Sequence, residues 1–96
     1  MTRDEVLAKL RAHEAELRAA GVEALRLFGS VARDEARVDS DVDLMIDGAS
    51  RLSLFDIMDV RDRCVMIVGR KVDLGERSAM RPRVRKRIDP ETGQVF

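Results

Sequence analysis

Ser40-Asp41-Val42-Asp43-Leu44-Met45-Ile46-Asp47 is the stretch that decides the fold. Over 41–47 an acid or methionine alternates with Val42, Leu44 and Ile46, the period of a strand with one apolar face. Side chains two apart on a strand leave the same face, so Asp41 and Asp43 project together. Carboxylates that close repel unless a cation lies between them or water solvates both, which makes a divalent metal a natural resident. Oxygen-only ligands favour magnesium or manganese over zinc.

Upstream, 22–28 is short and apolar-rich, with Glu23 and Arg26 its strongly polar members, and it ends abruptly at Gly29-Ser30. The pattern predicts a strand followed by a short helix over 30–36. A strand-to-helix turn offers free backbone amides, a small hydroxyl and the positive end of a helix to phosphate oxygens, and glycine lets the phosphate approach closely. Arg33, one turn on, lies on the side that can reach the same phosphates. Ser30 also has the placement of a helix cap, which requires no chemistry.

Downstream, Ser53 and Asp56 open a longer helix that runs to Gly69, with Leu54, Phe55, Ile57, Met58, Cys64, Val65, Ile67 and Val68 as its expected buried stripe. Val72 and Leu74 then flank Asp73 in a very short third strand, where an acid serves no packing purpose. If that strand neighbours the one carrying Asp41 and Asp43, three acids converge as two-metal phosphoryl chemistry requires, with Asp73 a third ligand or a base. Thr2 and Glu5 begin an amphipathic helix carrying Val6, Leu7, Leu10, Leu17 and Ala20, which Gly21 stops. A last helix is predicted over 78–88, with Pro82 in its first turn and Pro90 and Gly93 in closing turns. Helices alternating with three strands point to an α+β chain, a sheet covered by helices.

Ninety-six residues suit one domain spanning 1–96. A domain this small leaves room for a second molecule to complete its binding wall. The 45% apolar and 38% charged fractions describe a globular chain in water, and no apolar run approaches the roughly 20 residues of a membrane span. Lys and Arg number 18 and so do Asp and Glu, so net charge names no partner. Arg77, Arg81, Arg83, Arg85, Lys86 and Arg87 nevertheless form a basic cluster, either a solvated face or a surface for RNA or an acidic partner, with no aromatic interleaved to stack bases. Cys64 is alone, and the N-terminus is unlike a signal peptide, so the cytoplasm is expected. Cys64 and the methionines at 45, 58, 66 and 80 read as core filling. His13 reads as a helix-face residue not placed to activate Ser30 as a nucleophile, and Asp47 as surface.

Two segments together carry a family resemblance: Gly29-Ser30-Val31-Ala32-Arg33 and Ser40-Asp41-Val42-Asp43-Leu44. The pairing resembles the minimal nucleotidyltransferases of the polymerase-beta-like superfamily, similar to the antitoxin partners of HEPN-domain toxins. Lys71-Val72-Asp73-Leu74 is similar to that family's third-acid strand, and 81–88 to its closing basic helix. The resemblance implies a small mixed sheet covered by helices. It further implies nucleotide binding by Gly29, Ser30, Arg33 and Ser40, and metal binding and catalysis by Asp41, Asp43 and Asp73. Mg2+ would be the cofactor, with two ions expected and Mn2+ an alternative. ATP would donate AMP to a tyrosine hydroxyl of a cognate HEPN-domain toxin, with which the chain would form a hetero-oligomer. Two other readings stand beside it: a non-catalytic antitoxin that occludes its partner, and a transferase acting on RNA ends, which the absence of a recognisable RNA-reading segment disfavours.

Overall fold

The computed structural model describes residues 2–37, 40–48, 51–76 and 93–96. Helix α1 (Arg3–Ala12) starts where the Thr2 hydroxyl accepts the Glu5 amide at 3.2 Å. The single N-terminal helix expected from the sequence is two, because α2 (Glu14–Ala19) is separated from α1 by His13 at φ −110°, ψ 20°. The His13 ring Nδ1 stands 2.9 Å from the Lys9 carbonyl, and the His13 amide bonds Leu10 instead at 3.1 Å. The side chain thus takes the acceptor that a continuing helix would have given the backbone. Val6, Leu7, Leu10 and Leu17 are buried across both segments.

Strand β1 (Ala24–Phe28) leads directly into α3 (Gly29–Ala32). That helix is shorter than the predicted 30–36 because Arg33 caps it and Asp34 follows at φ 58°, a left-handed conformation that cannot continue the spiral. Strand β2 (Val42–Asp47) follows. Helix α4 (Leu54–Val68) opens on a complete capping box, with the Ser53 hydroxyl accepting the Asp56 amide at 3.2 Å and the Asp56 carboxylate accepting the Ser53 amide at 3.0 Å. It ends at Gly69, whose φ of 71° suits glycine. Strands β3 (Val72–Glu76) and β4 (Gly93–Gln94) complete the elements.

The strands form one mixed sheet in the order β3-β2-β1-β4. β1 runs antiparallel to β2, pairing Leu27 with Leu44 and Phe28 with Asp43. β2 runs parallel to β3, pairing Asp43 with Asp73. A parallel pair needs a crossover, and α4 supplies it. Gly93, expected in a turn, instead pairs with Leu27 in β4. Arg11 holds this end of the chain by donating to the Val95 carbonyl at 2.8 Å and the Gln94 carbonyl at 2.9 Å. Arg18 lies 4.8 Å above the Phe96 ring, a cation–π contact. The predicted helix over 78–88, the basic cluster over 77–87, Met80 and Pro90 lie outside the described residues.

The core lies between the helices and one sheet face, where Leu25, Leu27, Val42, Leu44 and Ile46 meet Val6, Leu10, Val60, Cys64 and Val68. The buried stripe of α4 differs from the one expected from the sequence. Val60, Cys64 and Val68 are buried, whereas Leu54, Phe55 and Met58 are exposed, Phe55 by 81%. At 3.6 residues per turn the 60/64/68 row faces the sheet and the 54/55/58 group rotates away from it. Met66 is also exposed, by 84%, while Met45 is buried as expected. Among the described residues no helix is long and apolar enough to cross a membrane. Truncating Leu44, which is fully buried, to alanine is expected to cost about 2–5 kcal/mol, whereas Met66→Ala changes stability by less than about 0.5 kcal/mol. Urea unfolding midpoints of the two variants check this pair.

Candidate active site

Strand register brings the acids together. Asp43 and Asp73 are directly paired across β2 and β3, and paired positions send their side chains to the same face of a sheet. Val42 and Leu44 turn inward to the core while Asp43 turns the other way. Asp41 stands one residue before β2, where the Val42 amide donates to the Lys71 carbonyl at 2.9 Å and so fixes the two strand starts side by side. The adjacency of the two acid-bearing strands, which the sequence could pose only as a condition, is therefore present.

The glycine turn packs on the same acids. Phe28 pairs with Asp43, and the next residue, Gly29, adopts φ 75° with its open side against the Asp43 carboxylate. A methyl group at Gly29 would collide with that carboxylate. Glycine is required here twice, by the left-handed backbone and by the close approach. The helix-cap reading of Ser30 does not hold. The cap position belongs to Phe28 and makes no side-chain bond, while Ser30 lies inside the first turn. First-turn amides have no acceptor within their own helix, so those of Ser30 and Val31 stand outside the hydrogen-bond ladder of α3.

The remaining sequence candidates are more dispersed. The Ser40 hydroxyl accepts the Arg37 amide at 2.8 Å, and the Ser40 amide donates to the Arg37 carbonyl at 3.0 Å. Ser40 is thereby tied to Arg37 immediately ahead of Asp41. Arg33 is exposed, with its Nε 3.1 Å from a Glu35 carboxylate oxygen, yet its positive charge reaches Asp43. Asp47 is not simple surface: it is half-buried and 3.4 Å from Arg26 on the neighbouring strand. Cys64 is core, its thiol pushed up to about 12 chiefly by burial, a value that leaves it unreactive at neutral pH.

Asp43 is the perturbed acid of the group. Its carboxyl is raised above the usual value of 3.8, first by burial and then by the negative charges of Asp73 and Asp41, with Arg33 opposing. The electrostatics thus couple all three aspartates. Their side chains do not close on a single point, however. Among the described residues no three Asp, Glu, His or Cys side chains are close enough together to hold one metal ion. Asp43 packs under Gly29, whereas Asp41 and Asp73 line a cavity of about 400 Å³ together with Arg61, Asp62 and Val65 of α4 and Lys71 and Val72. Sequence reading missed Arg61, Asp62 and Lys71. On the α4 helix, Arg61 and Asp62 carry no mark that separates them from any solvated face, and only the β2–α4–β3 crossover places them beside the aspartates.

Two outcomes follow for this geometry. Gly29→Ala must place an alanine at positive φ, a cost of about 1–2 kcal/mol, and must also displace Asp43; a lowered melting temperature with loss of catalytic turnover is expected. For Asp43, a folded-state pKa raised above the unfolded value means that its contribution favours folding below 3.8 and is lost as pH rises through the raised value. Asp43→Asn is therefore expected to melt at a higher temperature than the parent at pH 7 without divalent cations, with the gain shrinking as pH falls to about 3. Calorimetry across that pH range reads both effects.

Comparison with known proteins agrees with this arrangement. Residues 9–92 match the nucleotidyltransferase domain family. The chain is 34% identical over 89 residues to the protein adenylyltransferase MntA of Thermococcus cleftensis, covering 92% of this chain and 90% of that one. A solved minimal nucleotidyltransferase superposes with a TM-score of 0.83 at 30% identity, covering 97% of this chain and 95% of the other. The fold also matches a structure of a tri-AMPylated Shewanella oneidensis HEPN toxin in complex with MNT antitoxin, at TM-score 0.67 and 15% identity, covering 99% of this chain and 72% of that one. With its mixed four-stranded sheet and its paired Gly-Ser and Asp-x-Asp segments, the chain belongs to the nucleotidyltransferase domain family.

Proposed function

We propose that residues 1–96 act as one domain, a cytoplasmic protein adenylyltransferase that moves AMP from ATP to a tyrosine hydroxyl of a HEPN-domain partner and so silences it. The observation that carries this reading is the Asp43–Asp73 register with Gly29 packed against Asp43, because it supports a glycine turn acting beside paired carboxylates. The 34% identity to a protein adenylyltransferase supports the class of acceptor, and the HEPN–MNT complex of like fold supports the partner.

The donor set suits a hard divalent cation. Asp41, Asp43 and Asp73 supply oxygen ligands only, and their mutual repulsion already raises the proton affinity of Asp43. A divalent cation held between them would offset that repulsion. Magnesium, when bound, would neutralise phosphate charge and align the reacting oxygens. Asp41 and Asp43 would hold it, and Asp73 would complete the site or accept the proton of the attacking hydroxyl.

The chain's own residues then do the positioning. Amides of the Gly29-Ser30 turn and the Ser30 hydroxyl hold the β and γ phosphates, with Arg33 adding charge and Ser40 fixing the approach of Asp41. The phenol oxygen attacks the α-phosphorus, its proton passes to a carboxylate, the new P–O bond forms and the bond to pyrophosphate breaks. Catalysis of this kind is positioning and charge stabilisation more than covalent chemistry.

Labelled ATP, magnesium and the product of the neighbouring gene, expected to be a HEPN-domain protein, test the reading. Label is expected on the neighbour, reduced by a factor on the order of 100 or more when Asp41→Asn and Asp43→Asn are combined. Undiminished labelling by the double variant overturns the assignment, and protection of cells by a double variant that transfers nothing favours occlusion.

A further inference from the structure

We propose that Arg61 and Lys71 form an anion-recognition site for the acceptor, so that the hydroxyl which receives the nucleotide is one flanked by a negatively charged group. The inference rests on the transferase reading above and adds to it the chemical class of the acceptor. Its starting point is the sheet order β3-β2-β1-β4. The Gly29-Ser30 turn follows β1 on one flank of β2, whereas β3, α4 and their cavity lie on the other flank. In-line displacement at phosphorus requires the attacking oxygen to enter opposite the departing group. A pyrophosphate leaving toward the Gly29-Ser30 turn therefore directs the acceptor to the opposite flank, the cavity lined by Asp41 and Asp73.

That cavity has a mixed charge. Asp41, Asp62 and Asp73 would repel an acidic acceptor, but Arg61 and Lys71 line the same walls. Neither cation is spent on the reacting carboxylates. Lys71 makes no ion pair among the described residues, and the ion pair of Arg61 is with its own chain neighbour Asp62, at 3.5 Å with both side chains largely exposed. Such a surface pair contributes little, so Arg61 can turn to an incoming anion without losing much. Cations that flank a site of hydroxyl attack, and that do not neutralise its catalytic acids, favour an acceptor that brings its own negative charge.

The anion has two sources with one chemistry. It is either a carboxylate side chain next to the acceptor tyrosine or the phosphodiester of a nucleotide already attached to it. The full chain is titrated with three fluorescent peptides of equal length: a tyrosine flanked by glutamates, an adenylylated tyrosine between neutral residues, and an unmodified tyrosine between neutral residues. Binding is read by anisotropy and needs no transfer, so a failure here is separable from a failure of the labelling experiment. The parent is expected to prefer one or both anionic peptides. Lys71→Ala and Arg61→Ala each weaken that binding about tenfold, the scale of one charge-assisted hydrogen bond, while Lys71→Arg retains it and ATP affinity is unchanged. Loss confined to the glutamate peptide assigns the carboxylate source, and loss confined to the adenylylated peptide assigns the phosphodiester. A parent without preference for either anionic peptide, alanine variants that keep the preference, or a loss of ATP binding in its place overturns the proposal. Both side chains are exposed, so their removal leaves the core intact.

Discussion

Three carboxylates held near one another against their own repulsion are the constraint around which the rest is arranged. Burial and the charges of Asp73 and Asp41 raise the proton affinity of Asp43, so at neutral pH the folded chain carries an electrostatic cost at this position. The cost is met by backbone geometry. β2 and β3 are pinned in parallel register by a ladder that includes the Asp43–Asp73 pair, and α4 packs Val60, Cys64 and Val68 onto the sheet to keep that crossover in place. Hydrophobic burial on one face thus maintains an unfavourable charge cluster on the other, a division often found where chemistry is done.

The glycine turn extends the same logic. Gly29 lets the chain turn from β1 into α3 while leaving the Asp43 carboxylate the space that a side chain would occupy. The Gly29-Ser30 turn and Asp43 are for this reason one packing unit, in which the conformation of a single residue sets how closely the two parts approach. The cavity lined by Asp41 and Asp73 lies beside β3, on the flank of β2 opposite β1.

Much of this was legible in the chain itself. The alternation over 41–47 and the abrupt Gly29-Ser30 stop located β2 and the turn, because each depends on local period and local backbone freedom. The capping box at Ser53 located the start of α4 within a residue. What escaped were features decided at a distance. His13 breaks the first helix through a side-chain contact with the Lys9 carbonyl that apolar spacing does not register. Gly93 reads as a turn residue but pairs with β1, since a two-residue edge strand has too little sequence to declare a period. Phe55, Met58 and Met66 read as core by composition yet face outward, because only rotation about the α4 axis says which apolar residues meet the sheet. The gathering of Asp41, Asp43 and Asp73 lay between these cases: the residues were evident and their adjacency was not, because strand order is a property of the tertiary fold.

The most direct test of the central claim is calorimetric titration of a non-hydrolysable ATP analogue into the chain, with magnesium and then with chelator, alongside Asp43→Asn. The account predicts nucleotide binding that tightens with magnesium in the parent and loses that dependence in the variant. Equal affinity with and without the cation in the parent would contradict it.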